Sequence, residues 1–134
     1  MGLVYQHIRL ANAARTDLEE VDAKALVDSG AMELCISKLI ALQLKLEPIE
    51  QRIVTYADGR KEIVDYVGPV RVEVFGRHAF AGAMVTGDGV LLGAVPMQSM
   101  DVLIDPARHQ LIPNPEYPNV PGALAMGFRT GFSS

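Results

Sequence analysis

The chain has little of what metal and cofactor sites require. Its 134 residues include one cysteine, Cys35, so an internal disulfide cannot form, and the three histidines (7, 78 and 109) are isolated in the sequence. Zinc sites need several Cys or His ligands at short spacing, so we expect no metal and no cofactor. A single cysteine also fits a reducing compartment, and we expect a cytoplasmic protein.

Basic runs and long apolar runs are absent as well. The net charge is -4 at pH 7, and lysines and arginines are scattered, which disfavours nucleic-acid and anionic-membrane partners. No apolar run approaches the length of a membrane helix, and the first residues do not resemble a signal peptide. Because 49% of the residues are apolar, one folded domain with a real core is expected.

What the chain does contain is a series of short segments with strand character. Val21 to Val27 alternates apolar and polar residues, and Gln51 to Val67 predicts a hairpin around Asp58-Gly59, a pair that favours a type I′ turn. Residues 34–46 fit either a short helix or a strand followed by one, and Pro96 can open another short helix. The pattern predicts a small all-β domain or barrel.

The composition changes after residue 112. Prolines at 113, 115, 118 and 121 precede glycines at 122, 127 and 131. We therefore predict one domain over residues 1–112 and an extended or disordered tail over residues 113–134.

The strand that begins at Val21 runs into the segment Ala25-Leu26-Val27-Asp28-Ser29-Gly30-Ala31. This order places a carboxylate at a strand end, on a loop tight enough to need Gly30. The Ser29 hydroxyl can donate and accept a hydrogen bond beneath the acid. Taken alone, Asp-Ser-Gly is also ordinary turn composition.

Other candidate chemistries fit less well. Ser29 lies in no Gly-x-Ser-x-Gly elbow, and Gly87-Asp88-Gly89 lacks the lysine of a phosphate-binding loop. Asp101 and Asp105 flank an apolar strand and could form a carboxylate pair, although acids at strand ends are common. Cys35, between two apolar neighbours, is expected in the core.

Taken together, these segments resemble the retropepsin-like (clan AA) aspartic peptidases, in particular the stand-alone single-domain bacterial type. The match covers the Asp28 loop, the hairpin around Tyr56-Ala57-Asp58-Gly59-Arg60, and Leu91-Leu92-Gly93 before a short C-terminal helix. It extends over roughly residues 3 to 112. Ser29 replaces the commoner Thr, and Ala94 stands where retroviral members carry an arginine that braces the dimer.

The resemblance implies an aspartic endopeptidase that binds an extended peptide or protein substrate and works as a homodimer. Asp28 from each chain would be catalytic, and Ser29, Gly30 and Ala31 would support its loop. Leu92 and Gly93 would be structural. A flap would close over the substrate, and apolar pockets would bind its side chains. The flap residues would be Tyr56, Ala57, Asp58, Gly59 and Arg60, and the pocket residues would be Val90 and Leu91. Two alternatives stay open: a non-catalytic dimeric peptide-binding or assembly module on the same fold, and a small β-barrel of unrelated function.

Overall fold

The structure, a computed structural model, describes residues 2–123. Within them the chain forms nine strands and two short helices, in the order β1 (Val4–Asn12), β2 (Val21–Val27), β3 (Leu34–Ile36), α1 (Lys38–Gln43), β4 (Glu47–Thr55), β5 (Lys61–Val74), β6 (Arg77–Val85), β7 (Val90–Leu92), α2 (Ala94–Met100), β8 (Val102–Asp105) and β9 (Gln110–Pro113). The predicted all-β class, with a short helix towards the C-terminal end, is confirmed. Neither helix in this part of the chain is long and apolar enough to cross a membrane.

Six strands close into a small barrel in the order β1-β2-β7-β3-β6-β5, because β1 pairs with both β2 and β5. The long strand β5 makes this possible: its residues 70–73 pair with β1, while residues 61–68 pair with β4. Strand β4 therefore lies outside the barrel, as one arm of a hairpin with β5. Strands β8 and β9 form a separate two-stranded sheet.

The barrel core follows from period-2 alternation, which sends every second side chain inward. On β5, for example, Val70 and Val72 are fully buried, whereas Arg71 between them is partly exposed. Gly93, at the start of α2, is buried among the same elements. The largest fully buried side chains are Leu10, Leu34, Ile36, Leu44, Leu92, Met100, Val70, Val72 and Pro96.

Residues 34–46 form the second of the two alternatives that the sequence left open, a strand followed by a helix. Ser37 follows the last residue of β3, Ile36, and caps α1, since its hydroxyl accepts a hydrogen bond from the Ile40 N–H at 3.3 Å. The helix buries Ala41 and leaves Leu39 and Leu42 exposed, with 68% and 65% of their surface accessible.

Residues 114–123 form no helix or strand but are hydrogen-bonded to the barrel. The Asn114 side-chain amide and the Gly122 N–H donate to the two carboxylate oxygens of Asp101 at 3.0 and 2.8 Å. Arg77, with a side chain only 5% exposed, donates to the backbone oxygens of Asp101, at 2.9 Å, and of Tyr117.

The predicted tail begins at residue 113, whereas Pro113 is still the last residue of β9 and pairs with Val102. Its residues 124–134 lie outside the described residues, so the division of the chain at residue 112 stays a prediction.

Candidate active site

The Asp28 loop begins where β2 ends. The Asp28 N–H donates to the Leu92 backbone oxygen at 3.0 Å, which extends the parallel pairing of β2 with β7 by one residue. Beyond this point the chain turns: the Gly30 N–H donates to the Asp28 Oδ1 at 2.8 Å, and the Ala31 N–H donates to the Asp28 backbone oxygen at 3.2 Å. The carboxylate is therefore exposed but held in one orientation by its own loop.

Glycine at position 30 leaves room for this carboxylate. A Cβ atom there would lie 3.1 Å from the Asp28 Oδ1, closer than an ordinary van der Waals contact. Ser29, between the two residues, is exposed on the loop.

Helix α2 supports the loop from behind. The N–H groups of Ala94 and Val95 donate to the backbone oxygens of Ala31 and Met32 at 2.7 and 2.9 Å. These hydrogen bonds bring the loop close to Gly93, the residue before the helix. Gly93 is the glycine that the sequence predicted to be structural. The predicted motif therefore lies directly against the predicted catalytic loop.

A groove of about 870 Å³ separates the Asp28 loop from the β4–β5 hairpin. It brings together residues that the sequence predicted from three separate segments: Asp28, Gly30 and Ala31 of the loop, Tyr56 and Ala57 of the hairpin, and Val90 and Leu91 of β7. The other predicted site residues lie outside its lining: Ser29, Asp58, Gly59, Arg60, Leu92 and Gly93.

The groove floor contains three side chains that the sequence interpretation missed, Leu26, Cys35 and Met84, beside the predicted Leu91. Leu26, Leu91, Cys35 and Met84 form a row across four strands, since Leu26 pairs with Leu91, Leu91 with Cys35, and Cys35 with Met84. Alternation along β2 and β3 could have identified Leu26 and Cys35, whose neighbours on both sides are buried. No local pattern connects Met84 to them, because parallel pairing joins distant segments.

The prediction that Cys35 lies in the core is therefore wrong. Leu34 and Ile36 point into the barrel, and Cys35 between them faces the groove, half-buried. Burial raises the pKa of the Cys35 thiol, and the nearby Glu33 carboxylate raises it further. The thiol is thus protonated at neutral pH, which argues against a cysteine nucleophile.

The hairpin tip differs from the predicted type I′ turn. The Gly59 N–H donates to the Tyr56 oxygen at 2.9 Å, and the Tyr56 N–H donates to the Arg60 oxygen at 2.8 Å, so the loop has three residues. Gly59 has a positive φ of 87°, whereas Asp58 does not, and a type I′ turn needs positive φ at both. The Asp58 carboxylate instead accepts a hydrogen bond from the Arg60 N–H at 2.9 Å, which stabilises the longer loop.

Tyr56 connects the hairpin to the barrel. Its hydroxyl donates to the Glu62 Oε1 at 2.7 Å and lies 2.6 Å from the Thr86 Oγ1, on the loop between β6 and β7. The Arg60 guanidinium lies 4.4 Å from the centre of the Tyr56 ring. The hairpin is therefore tied across the groove by one side-chain contact near its tip.

Among residues 2–123, no three His, Cys, Asp or Glu side chains are grouped so that they could hold a metal ion. The chain matches no protein-family model and no curated protein sequence. It is similar to the solution structure of Simian Foamy Virus (mac) protease, with 20% sequence identity and a TM-score of 0.47. That alignment covers 69% of this chain and 91% of the other chain.

Proposed function

We propose that the chain is an aspartic endopeptidase of the stand-alone retropepsin-like type, active as a symmetric homodimer in the cytoplasm. One observation carries the proposal: the Asp28 carboxylate is exposed, fixed by its own loop, and open to a groove that a hairpin borders on the other side. Peptide hydrolysis by paired acids needs a rigidly held carboxylate beside space for an extended chain.

The second carboxylate would come from a second copy of the chain. Two-fold symmetry places the same residue of each copy opposite itself on the axis, so Asp28 would meet its mate. The exposed surface beside the loop supports such a contact. Leu3, which precedes the Val4–Val27 pair, is 69% exposed, and Met32 is 64% exposed.

Two carboxylates in contact cannot both ionise easily, so the pair would share one proton. The ionised member would take a proton from a water molecule, whose oxygen attacks the carbonyl carbon of the scissile peptide bond. The protonated member would donate to the carbonyl oxygen. Transfer of a proton to the leaving nitrogen then breaks the C–N bond without an acyl-enzyme.

The groove would bind the peptide in extended form. Within residues 2–123, β4 is the edge strand of its sheet, so its outer edge and the loop after Asp28 can pair with substrate backbone, as an added strand does. The row of Leu26, Leu91, Cys35 and Met84 would contact apolar side chains of the substrate. Ser29, exposed beside Asp28, would hydrogen-bond across the dimer and set the separation of the two loops.

The test is cleavage of a peptide library by the wild type and by Asp28→Asn, which keeps the shape and removes the shared proton. We expect cleavage by the wild type, inhibition by a pepstatin-type compound, and no cleavage by the variant, with unchanged circular dichroism. Asp22→Asn, at the opposite end of the same strand, is the matched control and should cleave normally. An Asp28→Asn protein as active as wild type would refute the assignment.

The same experiment addresses the alternative of a non-catalytic peptide-binding module. A wild-type protein that binds library peptides in the groove but cleaves none of them would favour that alternative.

A further inference from the structure

Three charged residues line the groove: Lys24, Asp28 and Glu33. The Lys24 ammonium lies 4.9 Å from the centre of the Tyr5 ring. Glu33 is the one that lies near β4, through Arg52. It follows the Asp28 loop, its side chain is 27% exposed, and it lines the same groove as Asp28. Its cationic neighbour is Arg52 of β4, but the Arg52 Nη1 and the Glu33 Oε1 are 3.9 Å apart, too far for a hydrogen bond.

Two stronger contacts keep the Arg52 guanidinium at this distance from Glu33. Its Nε donates to the Glu50 Oε2 at 2.9 Å, and its guanidinium lies 3.6 Å from the centre of the Tyr66 ring. A guanidinium that turned fully to Glu33 would weaken its stacking on the ring and its hydrogen bond to Glu50.

Tyr66 cannot move away to release Arg52 without losing its own packing. The ring lies directly over Gly82 of β6, where an added Cβ atom would be 2.1 Å from the ring. Gly82, Tyr66 and Arg52 therefore form a stack, in which the position of the Tyr66 ring limits the movement of the Arg52 guanidinium towards Glu33.

The charges of this group do not cancel. Glu33, Glu50 and Arg52 together carry one net negative charge, and the stack assigns Arg52 to Glu50. The Glu33 carboxylate, which lines the groove, therefore has a cation 3.9 Å away but, within residues 2–123, no hydrogen-bonded partner. A cation that enters the groove at this position would give the Glu33 carboxylate a direct partner.

We propose that Glu33 selects substrates that carry a lysine or arginine side chain at the position facing this end of the groove. The inference rests on the proposed peptidase function and names its substrate class. Because Glu33 is partly exposed, the preference should be modest, about fivefold in kcat/KM over an uncharged side chain of similar length.

The test uses matched peptides that differ at one position, with lysine, norleucine or glutamate, scanned through the positions around the cleaved bond. In the wild type, one position should favour lysine over norleucine by about fivefold and disfavour glutamate, and raised salt should reduce both effects. In Glu33→Gln, the ratio of lysine to norleucine should fall to about one, while cleavage of the norleucine peptide persists.

Two further variants separate selection from a structural effect. Arg52→Gln removes the competing cation and should raise the lysine preference above the wild-type ratio, a change that simple loosening of the hairpin would not cause. Glu47→Gln, an exposed change of the same type on β4, should leave the ratio unchanged. A wild-type protein without lysine preference, or an unchanged ratio in Glu33→Gln, would overturn the inference and leave the peptidase function standing.

Binding to Asp28→Asn distinguishes failure of the inference from failure of the proposed function. If the wild type cleaves nothing, the peptidase proposal falls, and the Kd ratio of the lysine and norleucine peptides still tests Glu33. Tighter binding of the lysine peptide that is lost in the double variant Asp28→Asn, Glu33→Gln supports the inference. Equal binding of the two peptides, or binding of neither, overturns it.

Discussion

Gly93 and Glu33 are in such close contact that a Cβ atom on Gly93 would lie 2.3 Å from the Glu33 backbone oxygen. The Glu33 nitrogen would be 2.8 Å from the same atom. Both neighbours are backbone atoms, so a side-chain movement cannot relieve the clash. The start of α2 and the end of the Asp28 loop therefore fit together only with glycine at this position.

Gly93→Ala should destabilise the fold and displace the Asp28 loop. We expect a loss of about 2 kcal/mol in the free energy of unfolding, measured by urea denaturation, because the backbone must shift to admit a methyl group. Gly89→Ala is the matched control, since nothing lies within 4 Å of a Cβ atom there, and it should change stability by less than about 0.5 kcal/mol. Equal effects of the two substitutions would contradict the proposed fit.

The dimer proposal predicts that activity depends on protein concentration. Specific activity per chain should fall when the protein is diluted below its dimer dissociation constant, because a single chain supplies one Asp28. Sedimentation at the same concentrations should show the monomer appear as activity disappears. A monomer with full activity at every concentration would exclude the shared site.

The same proposal predicts an effect of Met32→Glu, at an exposed apolar position beside the loop. Like charges would then face each other across the two-fold axis, and the dimer should weaken at least tenfold, roughly what a like-charge pair costs. Leu39→Glu, an equally exposed position on α1, should leave the dissociation constant unchanged. Equal dimerisation of the two variants would show that the surface beside Asp28 is not the interface.

The contact between Tyr56 and Thr86 predicts how the hairpin behaves. Tyr56→Phe removes the hydroxyl, and amide exchange at residues 54–62 should accelerate by about fivefold, as expected for loss of a hydrogen bond of about 1 kcal/mol. A bound peptide-like inhibitor should slow exchange at these residues and at residues 28–31 together. Protection at Asp28 with unchanged exchange in the hairpin would show that the hairpin does not cover the substrate.

Asp101 predicts a pH dependence of the segment that follows β9. The Gly122 N–H, then the Asn114 amide, and then the Arg77 charge hold the pKa of Asp101 below its usual value of 3.8. A lowered pKa means that the stabilisation is fully present above pH 3.8 and is lost as the pH falls through the lower value in the folded protein.

Exchange of the Gly122 amide, followed by NMR, should therefore be slow near neutral pH. In strong acid its exchange rate should rise relative to the rates of the other amides. Asp101→Asn should show fast exchange at neutral pH already and a smaller acid response, while asparagine still tolerates the positive φ of 55° at this position. Asp22→Asn should behave as wild type. The same acid response with and without Asp101 would mean that another group holds the segment.

The sequence by itself determined the local elements. The alternation from Val21 to Val27 predicted a strand that ends at the acid, and the observed strand ends at Val27, directly before Asp28. The pair Asp58-Gly59 located the hairpin tip. Pro96 lies in the first turn of α2, as predicted. These features depend on backbone preferences and side-chain period within a few residues, which is why a single sequence is enough to find them.

Tertiary structure decided what the groove contains. The row from Leu26 to Met84 exists because β2 and β7, and β3 and β6, pair in parallel, and parallel partners are necessarily far apart in the sequence. The restraint on Arg52 likewise depends on Tyr66 lying over Gly82. The hydrogen bond from the Gly122 N–H to Asp101 joins residues that are 21 positions apart in the sequence. Such contacts form only once the barrel has closed, so period and propensity do not encode them locally.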